Sequence, residues 1–153
     1  VDRAALDAAR ALNIPVAGWC PRGRRAEGGT IPADYQLTET DSWNYAVRTE
    51  WNVRDSDGTL ILAMDELTGG SKLTAGLARR HRKPLHIVLF LQDPAENSVA
   101  EEVQTVVDWI TDRKIRVLNV AGPRGSSDDR TYPTARTFCQ HIFAAATTAA
   151  ADR

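Results

Sequence analysis

The sequence predicts a three-layer α/β fold with a mainly parallel sheet. Short runs rich in β-branched residues, almost continuously apolar, alternate with segments of helical periodicity, and the connections between them are short. A strand that is apolar on both faces needs helices over both, which is the habit of parallel sheets. Parallel neighbours joined through a helix then follow the right-handed crossover rule. The strand candidates are residues 14–17, 59–63, 85–91 and 115–120.

The helices fall between them. Residues 2–12 form an alanine-rich first helix and residues 42–53 a second. A third, residues 71–82, ends in Arg79, Arg80, His81, Arg82 and Lys83, and Pro84 stops it. Those cations suit the negative end of a helix dipole and read as a solvated end, not a nucleic-acid patch. Beyond residue 98, Val99, Val103, Val106, Val107 and Ile110 recur at helical spacing, and Asp93-Pro94-x-Glu96 offers an N-cap, a first-turn proline and a capping acid. Residues 131–146 make the last helix, whose alanine-rich end is expected to fray. A doubly wound sheet normally opens with a strand and a glycine-rich turn. Since the first element here is a helix, a strand and glycine loop are expected upstream of Val1.

With 153 residues, 42% hydrophobic and 25% charged, the chain suits a single domain over residues 1–153 with one core. Nineteen Lys plus Arg against twenty Asp plus Glu give a net charge of −1, so no global field draws the chain to nucleic acid or to a membrane surface. The longest apolar run, residues 85–91, is far shorter than the ~20 residues that span a bilayer. Cys20 and Cys139 form no C-x-x-C pair and fit a reducing cytoplasm. His81, His86 and His141 lack metal-ligand spacing, and no nucleophile elbow accompanies them.

Chemistry concentrates in segments that follow strands. Residues 18–41 hold Trp19, Arg22, Arg24 and Arg25 on a connection longer than a structural link needs. Guanidinium groups bind phosphate in bidentate fashion, so this stretch reads as an anion-binding loop, or else as an exposed surface loop. Gly69-Gly70-Ser71, with Thr74 one turn on, places bare backbone and hydroxyls at a helix N-terminus, a ready anion site or a simple turn and cap. Gly122-Pro123-Arg124-Gly125 repeats the pattern after the last strand, with Asn119 near its end. Arg48 and Asn52, four apart, share a helical face and could point at one ligand, or serve in surface ion pairs and core packing. Ligands of open α/β sheets bind at the carboxyl ends of the strands. An anion site of Gly69, Gly70, Ser71 and Thr74 ringed by Arg22, Arg25 and Arg124, with Arg48, Asn52 and Asn119 contributing, is therefore expected. Its occupant is a small anionic ligand.

Several blocks are more specific: Val1-Asp2-Arg3-Ala4-Ala5-Leu6-Asp7, Gly18-Trp19-Cys20-Pro21-Arg22-Gly23-Arg24-Arg25, Arg48-Thr49-Glu50-Trp51-Asn52-Val53-Arg54-Asp55-Ser56-Asp57, Gly69-Gly70-Ser71-x-Leu73-Thr74 and Leu118-Asn119-Val120-Ala121-Gly122-Pro123-Arg124. Carried on these blocks, the chain resembles the molybdenum cofactor carrier family. That resemblance implies a Rossmann-like protein related to the YpsA and lysine-decarboxylase-like (LOG) proteins. It also implies a homo-oligomer that carries molybdenum cofactor (molybdopterin) as cargo, with no catalytic residue. In that family a Ser-Gly-Gly-Gln-Thr-Gly type loop precedes the position of Val1. A sensor of a nucleotide-derived signal would use the same pocket. A phosphoribohydrolase-like enzyme would instead need an acid shortly after the Gly-Gly turn, where residues 71–77 hold none; Glu27, Glu50, Asp55 and Asp57 are the nearby carboxylates.

Overall fold

The computed structural model describes residues 1–90 and 96–151. In chain order the elements are helix α1 (Asp2–Ala11), strands β1 (Trp19–Cys20), β2 (Arg25–Ala26), β3 (Gly29–Thr30) and β4 (Thr38–Glu39), helix α2 (Tyr45–Arg54), strand β5 (Gly58–Ala63), helix α3 (Gly69–Arg80), strand β6 (Leu85–Leu89), helix α4 (Glu96–Asp112), strand β7 (Leu118–Ala121) and helix α5 (Thr131–Ala151). Short 3-10 turns lie at Arg22–Arg24 and Gly125–Ser127.

The central sheet is parallel, in the order β6-β5-β7. Every residue of β5 is buried, as a middle strand covered on both faces must be. Leu60 and Leu62 of β5 join Val88 and Phe90 in one core with Ala4 and Ala8 of α1, Val106 of α4 and Phe138 and Ile142 of α5. On the opposite face Val53 of α2, Leu77 and Ala78 of α3 and Leu85 form a second, smaller core. The expected three layers are therefore present, with α1, α4 and α5 on one side and α2 and α3 on the other. Four alanines make the buried stripe of α1 and let it lie close against α5. No helix among the described residues is long and apolar enough to cross a membrane.

Several boundaries differ from expectation, each for a local reason. Residues 14–17 form no strand, because Pro15 has no N–H to pair. Extended pairing starts only at Trp19, whose strand β1 runs parallel to β4. The last strand is Leu118–Ala121, not 115–120: the Ile115 N–H closes α4 on the Ile110 carbonyl, and the Arg116 and Val117 N–H groups donate to Asp57 Oδ2. Helix α2 starts at Tyr45, three residues later than expected, because the Asn44 side chain accepts from the Ala46 N–H and caps it there. Helix α3 runs Gly69–Arg80, ending before Arg82 at φ +53°. Its basic end is tied down, with Arg80 and His81 both on Glu50 and Lys83 on the Ser56 carbonyl. Helix α5 continues past 146 to Ala151, as the alanine content of its last two turns favours. Helix α4 buries Val106 and Val107 as its periodicity requires. Its proposed caps Asp93 and Pro94, and Leu91 of the third strand candidate, lie outside the described residues.

One glycine is fixed by close approach. A Cβ on Gly122 would stand 2.2 Å from the Leu62 carbonyl oxygen and 2.5 Å from Val1 Cγ2. Gly122→Ala is therefore expected to cost about 1–3 kcal/mol of stability by overpacking, read as a lower urea midpoint at unchanged slope; an unchanged midpoint would show that the backbone yields freely.

Candidate functional site

Because β5, β6 and β7 are parallel, their carboxyl ends share one edge, and the helices that pack on them start at that edge. Helix α3 opens there with Gly69 and Gly70, both exposed, with no side-chain cap from Thr68. Gly69 has φ +48°, where glycine is at ease. Ser71 and Thr74 are buried on the inner face of the same helix, and the Thr74 hydroxyl donates to the Gly70 carbonyl at 2.8 Å. Helix α1 also starts at this edge: the Val1 nitrogen donates to the Pro123 carbonyl, just past β7. Thr131, 2% exposed at the start of α5, lies among Val1, Leu62, Ala63, Met64, Phe90 and Ala135.

The N-terminal end of α2 brings in the charges. Arg48 pairs with Asp2 at 2.7 Å, its guanidinium carbon lies 5.9 Å from the centre of the Tyr45 ring, and Arg124 approaches the same ring at 5.5 Å. One residue pair earlier, Arg22 and Arg25 lie 5.7 and 5.8 Å from the Trp43 ring. The Arg22 N–H donates to the Ser42 carbonyl, which ties the two loops together. Arg22, Arg25, Arg48 and Arg124 are thus gathered around the Ser42–Tyr45 corner, with no contact to Gly69 or Gly70 among the described residues. Among the described residues two buried side-chain polar atoms have no partner, Arg48 Nε and Thr131 Oγ1. Both flank the start of α1.

Arg24 takes a different part from its neighbours. Its guanidinium donates to the carbonyls of Ile31, Pro32, Tyr35 and Leu37 at 2.8–3.1 Å and draws the long connection into a closed loop. Tyr35 fastens that loop to the body, donating to Asp7 Oδ1 while Tyr132 donates to Oδ2 of the same carboxylate. Burial first and then the bond to Asp7 push the Tyr35 phenol above its ordinary pKa, and the bond to Asp7 first and then burial raise that of Tyr132.

Two expected site residues are engaged elsewhere. The Asn52 carbonyl accepts from the Trp19 N–H at 2.8 Å and its amide donates to the Trp19 carbonyl at 3.0 Å, so Asn52 acts as a pairing partner for β1 and does not share a target with Arg48. The Asn119 amide donates to Thr59 Oγ1 at 3.2 Å, within the sheet and two residues short of the end of β7. Sequence reasoning passed over Trp43, Tyr45 and Thr131. The Ser42-Trp43-Asn44 capping pattern was the available signal for the first two, since it puts Trp43 just before a helix start and Tyr45 at its first position.

Three of the carboxylates that a hydrolase could use, Glu50, Asp55 and Asp57, are engaged in structural bonds. Asp57 caps the loop before β7 at the opposite end of the sheet. Asp55 takes a bidentate pair from Arg54 and a bond from the Trp19 indole N–H. Glu50 sits between Arg80 and His81, and Glu27 is exposed on the β2–β3 hairpin. Both cysteines are buried, and burial pushes the Cys139 thiol up to about 12 and the Cys20 thiol up as well, so neither is a ready nucleophile. No group of three or more His, Cys, Asp and Glu among the described residues could hold a metal ion.

The fold is a three-layer α/β arrangement around a parallel sheet. The model of the circularly permutated YpsA SLOG family matches residues 1–143, and the chain belongs to that family. A crystal structure of a protein named "Putative molybdenum carrier protein", from Syntrophus aciditrophicus SB, is 40% identical with a TM-score of 0.86, over 92% of this chain and 87% of that one. Curated proteins give no match. The family placement agrees with the resemblance read from the sequence blocks, and the neighbour agrees with the expected fold.

The geometry around Asp55 has a consequence for acid stability. Arg54 first, then the Trp19 indole, hold its carboxyl down at about 2 from an ordinary 3.8. A depressed carboxylate contributes stability that is complete above the unfolded value and lost as pH falls through the folded one. Between pH 4 and pH 2 the wild type should therefore lose stability more steeply than Asp55→Asn; parallel denaturation profiles for the two would refute the pairing.

Proposed function

We propose that this protein is a non-catalytic binding or carrier protein for a small phosphorylated anion, with molybdenum cofactor as its cargo. That cargo is a pterin bearing a phosphate and a dithiolene-bound oxomolybdenum group. The observation that supports the reading is that Arg48 and Arg124 share the Tyr45 ring and Arg22 and Arg25 the Trp43 ring, with Arg48 paired to Asp2 at the start of α1. Helix N-termini present N–H groups and positive potential to an anion, and guanidinium forks match its oxygens.

The physical division of labour follows from the contacts. Arg48 is oriented by Asp2 and keeps its Nε buried and unpartnered, poised to donate. Arg124 is exposed beside Tyr45 and free to turn onto a phosphate. Gly69 and Gly70 leave the start of α3 open to backbone approach, since a Cβ on either would meet nothing within 4 Å. The name of the 40% identical neighbour points to molybdenum carriage. A hydrolytic reading has less support, because Glu50, Asp55 and Asp57 are committed to structural bonds, and cleavage of a glycosidic bond needs a free acid or carboxylate at the reacting centre.

Titration calorimetry with a phosphorylated pterin tests this. Saturable binding that Arg124→Ala weakens roughly 10- to 100-fold is expected, the equivalent of one charge-assisted hydrogen bond of about 1.5–3 kcal/mol. Absence of binding by the wild type, or sustained release of free base from nucleoside monophosphates, would overturn the carrier reading.

A further inference from the structure

Trp43 is 54% exposed, on the corner that gathers the arginines. The other three tryptophans are packed against rings: Trp19 and Trp51 meet edge to face at 4.8 Å, and Trp109 lies against His86. An indole left more than half in water forgoes the hydrophobic stabilisation that its large surface can supply. The loop that carries it is hydrogen-bonded. Gly23, at φ +77°, lies under the benzo end of the ring, and a Cβ there would stand 3.0 Å from the ring carbon. The Gly23 N–H is fixed on Glu39 Oε2 at 2.8 Å and the Arg22 N–H on the Ser42 carbonyl at 2.9 Å. Thr40, 2% exposed, donates its hydroxyl to that same Ser42 carbonyl. Glycine and hydrogen-bonded backbone therefore pack against the ring, while the guanidinium carbons of Arg22 and Arg25 lie over it, offset at 5.7 and 5.8 Å from its centre.

We propose that Trp43 is the stacking platform for a planar fused heterocycle of the ligand, with Arg22 and Arg25 placed to take the negative charge carried next to that ring. This rests on the anion-carrier reading and deepens it by naming the ligand class: a phosphorylated bicyclic heterocycle, pterin or purine, as against a phosphorylated sugar. A flat indole face on a rigid loop gives stacking without prior ordering, and adjacent cations strengthen the attraction to a ring that carries anionic substituents. Stacking reads the π-face, so pterin and purine share this chemistry.

The test compares three probes by calorimetry: a phosphorylated pterin, guanosine monophosphate and ribose 5-phosphate, each against wild type, Trp43→Ala and Trp43→Phe. Wild type should bind at least one of the two ring-bearing probes more tightly than ribose 5-phosphate. Trp43→Ala should weaken that ring-bearing probe by roughly 5- to 100-fold, the range for loss of one ring stack, and leave ribose 5-phosphate unchanged, while Trp43→Phe restores part of the loss. Which of pterin and purine binds tighter assigns the ring. Quenching of tryptophan emission by the ring-bearing ligand, absent in Trp43→Ala, would be the matching spectroscopic sign. Equal affinities in wild type and Trp43→Ala would overturn the stacking role and leave the anion site standing, as would equal losses for ring-bearing and ringless probes. A wild type that binds none of the three would overturn the anion-carrier reading and the stacking role together.

Discussion

The burial of β5 on both faces is the constraint from which the site follows. Six consecutive residues, Gly58–Ala63, are covered by α1, α4 and α5 on one side and α2 and α3 on the other. Such a strand has parallel neighbours, its crossovers run through helices, and those helices begin where the strands end. The helix starts of α1, α2 and α3 therefore arrive at one edge without any further instruction. Even the tight fit at Gly122, against the Leu62 carbonyl and Val1, belongs to this convergence.

A second device stiffens what the sheet alone leaves loose. The connection between α1 and α2 carries only two-residue strands, yet Arg24 closes it by donating to four of its carbonyls, and Tyr35 anchors it to Asp7. In consequence Arg22 and Arg25 project from a frame whose shape is set before any ligand arrives. Affinity lost to ordering a loop is a general cost of binding, and the Arg24 network reduces it here. The three arginines of one short run thus divide into one that builds and two that face outward.

What the sequence made legible was the periodic part. The buried runs around residues 59–63 and 85–89 and the valine spacing of α4 are signals of burial, and burial is what the structure realises. Segments governed by single contacts were not legible. Residues 14–17 look like a strand until Pro15 is counted, and the start of β7 shifts because one carboxylate, Asp57, captures two N–H groups across sixty residues. The same holds at the site. That arginines and glycines cluster after strands could be read from order alone, whereas Asn52, read from its spacing to Arg48, and Asn119, read from its place near a strand end, are claimed by Trp19 and Thr59 through tertiary bonds that neither signal encodes. Trp43 was hidden because its neighbours were read as helix.

The chain belongs to the circularly permutated YpsA SLOG family, and the central proposal is spatial: that its ligand sits at the carboxyl edge of the sheet. Amide NMR titration with a phosphorylated pterin measures that most directly, because each backbone N–H reports its own surroundings. The account predicts shifts concentrated at Asp2, Gly23, Tyr45, Gly69, Gly70 and Arg124, with Asp55, Asp57 and the basic end of α3 unmoved. Shifts centred on Asp55, Asp57 and residues 79–83, at the opposite edge, would contradict it.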